Sequence, residues 1–288
     1  MTVTVGALFR QERDSPIKRR WLITGCSDGL GYALARAALL AGHDVIATAR
    51  RIEPLTSFGD VGPGSILPLE LDVTDPAQIA RTVEQAGRID VLVNNAGHGY
   101  LAAVEEGEDA KIRQTFEVNF FGAAALIRAA LPGMRARGAG TIMNISSVAG
   151  FFAGAGSAYY AASKYALEGL SDALVAEAGP LGIKIIVVEP GPIRTSFAGR
   201  SILSSPTIAA YRDTAGKRQQ QIIASNGAQT GDPDAIGRFL VELVDEGVEV
   251  DRVVLGAMAM RGIKRKLDLV ARDLDALRER SIATDFPA

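Results

Sequence analysis

From residue 21 onward, apolar runs of strand length alternate with longer stretches at helical spacing, and this alternation limits how the chain can bury itself. The runs cover 21–24, 44–48, 66–71, 90–93, 140–145, 183–188 and 252–255. They are nearly continuous in apolar residues, as strands covered on both faces must be, and such strands belong to a parallel sheet. Helix-like segments fill the gaps at 30–41, 76–85, 108–137, 158–179 and 232–245. Asp75-Pro76 and Asp232-Pro233 place a capping carboxylate just before a proline, which marks a helix start. The expectation is a single doubly wound α/β domain with a seven-stranded parallel sheet flanked by helices, its ligand crevice at the carboxyl ends of the strands.

Composition narrows the function classes. The 288 residues carry 31 Lys and Arg against 33 Asp and Glu, a net charge of −2 with no basic footprint for nucleic acid. No apolar run approaches the roughly 18 residues of a membrane span. Cys26, His43 and His98 are too few soft ligands for a zinc site, so no metal is expected. Residues 1–19 read as a charged tail without a secretory apolar core, and the protein is expected to be cytoplasmic. The domain spans 20–256 and includes a long excursion, 195–231, read as a substrate lid. Residues 257–288 carry Ile263, Leu267, Val270, Leu274 and Leu277 at helical spacing and are expected to pack as a C-terminal helix on the same domain.

The first strand runs into Thr24-Gly25-Cys26-Ser27-Asp28-Gly29-Leu30-Gly31 and then a helix. Gly25 permits a tight turn, Gly29 a close approach to a diphosphate, and Gly31 close helix packing, while the helix N-terminus offers free N–H groups. A dinucleotide fits this loop. The second strand ends at Ala49-Arg50-Arg51, without the acid that would bind a free ribose 2′-hydroxyl. Two guanidiniums there favour a 2′-phosphate, so NADP(H) is preferred and NAD(H) remains possible through Glu53. Asp72, after the third strand, is placed to accept from an adenine amino group.

Tyr160 and Lys164 stand four apart on a helical segment, which puts phenol and ammonium on one face. An ammonium at about 4 Å and effective dielectric near 20 is worth about 4 kcal/mol, enough to bring a phenol toward neutral pH. Ser147, at the end of the fifth strand, offers a hydroxyl for a substrate oxygen, and Asn119 a partner for a relaying water.

With these residues in order, the chain resembles the short-chain dehydrogenase/reductase family from about residue 21 to residue 256. The matching motifs are Thr24-Gly25-x-x-x-Gly29-x-Gly31, Asp72, Asn94-Asn95-Ala96-Gly97, Asn119, Ser147, Tyr160-x-x-x-Lys164 and Pro190-Gly191. Within that family it is most similar to bacterial oxidoreductases resembling 17β-hydroxysteroid dehydrogenases, through Asn119-Phe120-Phe121-Gly122 and Glu189-Pro190-Gly191-Pro192. The resemblance implies a Rossmann-type fold, with Asn94 bracing the sheet and Pro190-Gly191 on the nicotinamide side. It further implies a cofactor surface that takes in Ser27, Asp28, Leu30, Val73, Ala96, Gly97, Ile193 and Thr195.

The expected reaction is hydride transfer between NADP(H) and a bulky lipophilic ketone or secondary alcohol, with Tyr160 as acid/base, Ser147 orienting the oxygen, and Lys164 and Asn119 in support. His98, Tyr100, Phe151, Phe152 and Phe197 are the expected substrate contacts, with Gly154, Ile202, Leu203 and Tyr211 as further walls. A non-catalytic NADP(H)-binding sensor with the same fold is the alternative. Ala- and Gly-rich faces on the long helices suggest a homodimer or homotetramer.

Overall fold

The computed structural model describes residues 17–59 and 61–286. Most of the charged tail at 1–19 lies outside the described residues. Seven parallel strands form one sheet: β1 (Arg20–Ile23), β2 (Asp44–Ala49), β3 (Ile66–Glu70), β4 (Val91–Asn94), β6 (Gly140–Ile145), β7 (Ile183–Pro190) and β9 (Arg252–Leu255). A two-stranded ribbon pairs β5 (Gly99–Leu101) with β8 (Ile202–Ser204). The large sheet runs β3-β2-β1-β4-β6-β7-β9, so its order reverses between β1 and β4. All seven expected strands are present, with ends within two residues of the sequence reading.

Helices α1 (Gly29–Leu40) and α8 (Pro233–Asp245) cover one face, sealing Trp21, Leu34, Val93 and Leu240. Gly237 is what lets them meet, since a Cβ there would lie 2.8 Å from the Ala33 carbonyl oxygen. On the other face, α2 (Pro76–Ala86), α4 (Ala123–Arg137) and α5 (Ala158–Ala178) bury Leu22, Leu92, Leu126, Ile142 and Leu174. Both predicted caps form: the Asp75 carboxylate accepts from the Ala77 and Gln78 amides, and Asp232 from Asp234. No helix among the described residues is long and apolar enough to cross a membrane.

Three expectations change. The segment 108–137 is not one regular helix: α3 (Asp109–Phe116) passes through a π-helical turn, Glu117–Gly122, into α4. Hydrophobic spacing does not reveal one extra residue in a turn, and such turns are frequent at functional sites. Residues 195–231 are not structureless, since they hold α6 (Phe197–Arg200), β8 and α7 (Lys217–Ala224). Their ends are closed, with the Arg194 amide donating to the Gly231 carbonyl at 2.8 Å and the Gly231 amide to Pro192 at 3.1 Å. Finally, α9 (Ala257–Ile282) packs on the domain only near its start, where Ala259 and Ile263 are buried, whereas Leu267, Val270, Leu274 and Leu277 face solvent.

One ionic tie joins α5, β7 and the edge strand β9. Arg252 bonds the buried carboxylates of Glu168 and Glu189, the latter at 2.6 Å, and reaches exposed Asp172 at 2.6 Å. Burial, reinforced by the Glu189 charge, lifts the Glu168 carboxyl from an ordinary 4.5 to about 7 against the pull of Arg252. A carboxyl raised on folding stabilises the fold below its unfolded pKa, and that contribution is lost as pH rises through the folded one. Urea unfolding should therefore show stability falling between about pH 4.5 and pH 7, by a margin that Glu168→Gln removes. Equal slopes in the two proteins would clear Glu168 of that role.

Candidate active site

The turn between β1 and α1 is built from backbone. Gly25 and Gly29 have φ of 73° and 64°, open to glycine at little cost. A Cβ on Gly31 would fall 2.4 Å from the Gly25 carbonyl oxygen and 2.4 Å from the Asn95 amide nitrogen, so this position accepts only glycine without moving the loop. Asn95, which the sequence reading passed over as a site residue, holds the turn: its Nδ2 donates to the carbonyls of Thr24 at 2.8 Å and Gly25 at 3.3 Å. Thr24 Oγ1 in turn accepts the amides of Asn95 and Ala96, both at 2.9 Å. The signal was available in the paired Asn94-Asn95, but only the fold shows that one side chain faces the sheet and the next the turn.

Asn94 does brace the sheet, its Nδ2 donating to Asn144 on β6 at 2.8 Å. Ser27 and Asp28 are exposed at the turn, Leu30 is buried below it, and the Asp28 carboxylate accepts the Gly29 amide at 2.7 Å. That carboxylate also binds Ser196 and Arg200, and Thr195 lies against Gly29, so the 195–231 segment begins directly beside the glycine turn. These bonds hold the Asp28 carboxyl below its usual range against the opposing effect of burial.

Arg50 and Arg51 are exposed past the end of β2 and have no carboxylate partner among the described residues. Asp72 is engaged locally, its Oδ1 accepting from the Thr74 amide and hydroxyl, and Val73 is buried against Gly122. Pro190 ends β7, the Gly191 amide donates to the Leu255 carbonyl, and Ile193 bridges to Gly231. A glycine turn opening onto a helix N-terminus, with two unpaired guanidiniums one strand away, fits a dinucleotide phosphate chain.

The side chains expected to carry the chemistry come together at the carboxyl ends of β4 and β6. Ser147 caps a short 3₁₀ turn, accepting the Ala149 amide at 3.1 Å, and its hydroxyl is near enough to the Tyr160 phenol to act on its pKa. Lys164, one turn further along α5, donates Nζ–H to the Ile145 carbonyl at 2.8 Å. Gly97 faces it, and a Cβ there would lie 3.6 Å from Nζ. Asn119 sits on the π-helical turn with its side chain acting as a brace: Oδ1 accepts the His98 amide at 3.0 Å, while Nδ2 donates to the His98 carbonyl and to Ser163 Oγ.

The expected lowering of Tyr160 by Lys164 is not what the chain alone shows. Burial raises the phenol, with the Ser147 hydroxyl acting against it. Lys164 is itself pushed down to about 8 by burial, against the pull of Glu168, and is turned toward Ile145. Burial therefore favours the protonated phenol.

The expected substrate contacts divide. Phe197 stands over Tyr160, ring centres 6.1 Å apart, and Phe151 is half-buried. Tyr100 does not line the cleft: it is 1% exposed, and its hydroxyl is held by Ser205 at 2.6 Å and the Glu108 amide at 2.8 Å. Phe152 lies instead under α9, where a Cβ on Gly262 would strike its ring, and Gly154 packs on Arg218. His98 is partly buried, with Nε2 at 3.2 Å from Thr115 Oγ1, and burial lowers its pKa with help from Lys164 and Arg50. It is a neutral brace near the site.

Comparison with known proteins agrees with this geometry. A family model described as short chain dehydrogenase matches residues 19–203. The chain is 36% identical over 270 residues to the oxidoreductase BOA17 of Botryotinia fuckeliana, covering 92% of this chain and 98% of that one. It is 38% identical to human retinol dehydrogenase 8 over 207 residues, 68% of this chain and 65% of that one. A short-chain dehydrogenase structure from Streptomyces avermitilis superposes with a TM-score of 0.86 at 39% identity, over 93% of this chain and 99% of that one. One from Burkholderia cenocepacia, in complex with NADP, superposes at 0.69 with 28% identity over 94% and 98%. The protein belongs to the short-chain dehydrogenase/reductase family, oxidoreductases that act on CH–OH and C=O groups with NAD(P).

Proposed function

We propose that the protein catalyses reversible hydride exchange between NADP(H) and a bulky lipophilic ketone or secondary alcohol. The observation that carries this reading is the placement of the Ser147 hydroxyl, at the end of β6, near the Tyr160 phenol on α5, with the Lys164 ammonium one helical turn away. When bound, the nicotinamide supplies or accepts the hydride. The chain's own residues handle the oxygen and its proton. Ser147 orients the substrate oxygen, and Tyr160 gives it a proton in reduction and removes one in oxidation. A phenol raised by burial is suited to the first of these roles. Lys164 supplies positive charge beneath the phenol and a donor for the cofactor ribose. Asn119 keeps a second Oδ1 lone pair that can hold a relaying water.

The glycine turn, from Gly25 to Gly31, would hold the diphosphate, Arg50 and Arg51 the 2′-phosphate, Asp72 and Val73 the adenine side, and Pro190 to Thr195 the nicotinamide side. Support for NADP(H) comes from the unpaired guanidiniums and from the NADP found in the Burkholderia relative. Phe197 beside Tyr160, together with the likeness to a retinol dehydrogenase, supports a lipophilic substrate. Residues 195–231 act as its cover, begun at Thr195 against the glycine turn. The buried Cys26 thiol, pushed up to about 12, takes no part. Cytoplasmic residence, and self-association through the Ala-rich faces of α4 and α5, complete the reading.

Two measurements test it. Tyr160→Phe should lower NADPH-dependent ketone reduction by about 10²–10⁴-fold while NADPH affinity, read by fluorescence, stays within a few fold. Turnover retained in that variant would remove Tyr160 from the chemistry. Replacing Arg50 and Arg51 with Glu should weaken NADPH by about 10–100-fold, the loss of charge-assisted bonds, and leave NADH nearly unchanged. Equal losses for both cofactors would mean that neither arginine reads the 2′-phosphate.

A further inference from the structure

Helix α9 runs for 26 residues, but its contact with the domain ends at Ile263. Beyond it, Leu267, Val270, Leu274 and Leu277 are 53%, 44%, 66% and 51% exposed. Helices in proteins draw most of their stability from packing an amphipathic face, so this one calls for a surface to cover its apolar residues. Their spacing identifies that surface. The steps from Leu267 to Val270, Leu274 and Leu277 are three, four and three residues, the alternating a/d seam of a coiled coil, narrower than the broad face a helix lays on a domain or a bilayer. A membrane helix would carry aromatic anchors, whereas this one has none and interleaves Asp268, Asp273, Asp275 and Glu279 among its basic residues.

We propose that α9 pairs with the α9 of a second copy of this chain as a parallel, in-register coiled coil with Leu267, Val270, Leu274 and Leu277 at the seam. Charge selects the orientation. With Leu267 and Leu274 at a, Asp273 occupies g and Arg278 the following e, so each Asp273 meets the Arg278 of the second copy, twice by symmetry. An antiparallel pair centred on the same four residues would set Asp273 against its own mate, Lys266 against Arg280 and Lys264 against Arg278, all like charges. In the single chain Asp273 bonds Arg272 and Arg278 bonds Asp275, exposed pairs that are worth little and exchange readily.

The test is particle mass by sedimentation equilibrium on the full chain. Leu274→Glu combined with Leu277→Glu should halve the mass of the wild-type particle, while NADPH binding and thermal unfolding of the body stay unchanged because both side chains are exposed. Leu277→Cys, under mild oxidation, should give a disulfide-linked dimer on a non-reducing gel, since d positions face each other only in the parallel register and Cys26 is buried. An unchanged mass in the double Glu variant, or a wild type that is monomeric and sediments with phosphatidylserine vesicles, would overturn the pairing. Absence of the cross-link in a protein that is otherwise associated would overturn its parallel register.

Discussion

The site depends on a single clamp where the strand order reverses. Thr24 Oγ1 gathers the amides of Asn95 and Ala96, and Asn95 returns its own amide to the carbonyls of Thr24 and Gly25. That exchange welds the carboxyl end of β1 to that of β4. From there a continuous path leads through Gly97 and His98 to Asn119, then through Ser163 to the carbonyl of Tyr160. The glycine turn and α5, with Tyr160 and Lys164, are thus parts of one hydrogen-bonded frame. Buried amides and carbonyls must be satisfied, and here the partners that satisfy them also set the distance between the two halves of the site.

A second constraint lies beneath the chemistry. Tyr160, Lys164 and Glu168 repeat at four-residue intervals on one face of α5. Burial pulls the Lys164 ammonium down to about 8 and lifts the Glu168 carboxyl to about 7. The Glu168 charge works against the desolvation of Lys164, and Arg252 supplies the positive charge that keeps two buried carboxylates tolerable. The edge strand β9 therefore does more than extend the sheet. It delivers the counter-charge on which the electrostatics of α5 rests.

How much of this was legible in the sequence follows the range of the interactions involved. The seven strands, the caps at Asp75 and Asp232, the glycine turn and the Tyr160–Lys164 pair were readable because each is written within a few consecutive residues. Strands β5 and β8 were not, since three residues carry no usable period and their pairing spans about a hundred positions. The same holds for Tyr100, whose aromatic character suggested a pocket wall while its hydroxyl is bound to Ser205. Asn119 was picked out from the sequence, but not its brace on His98, which needs the π-helical turn to aim it. Glu168 escaped notice because a lone acid on a helix reads as solvated until Arg252 is brought over it from 84 positions away.

The segment over the cleft shows how such non-local contacts create function. Its ends are joined at Ile193 and Gly231, so it leaves and re-enters the body at one point, as an Ω-type excursion does. Its first turn is held by Asp28 through Ser196 and Arg200, and its middle by Tyr100, Glu108 and Lys111 acting on Ser204 and Ser205. Phe197 falls between these two anchors, on the side of the Tyr160 ring. An aromatic side chain fixed from both sides defines one wall of the reacting space, whereas α7 beyond it has no buried residue and is free to differ. Under the proposed function, selectivity for the substrate body is set near Phe197, beside Tyr160, and relaxes toward the outer helix.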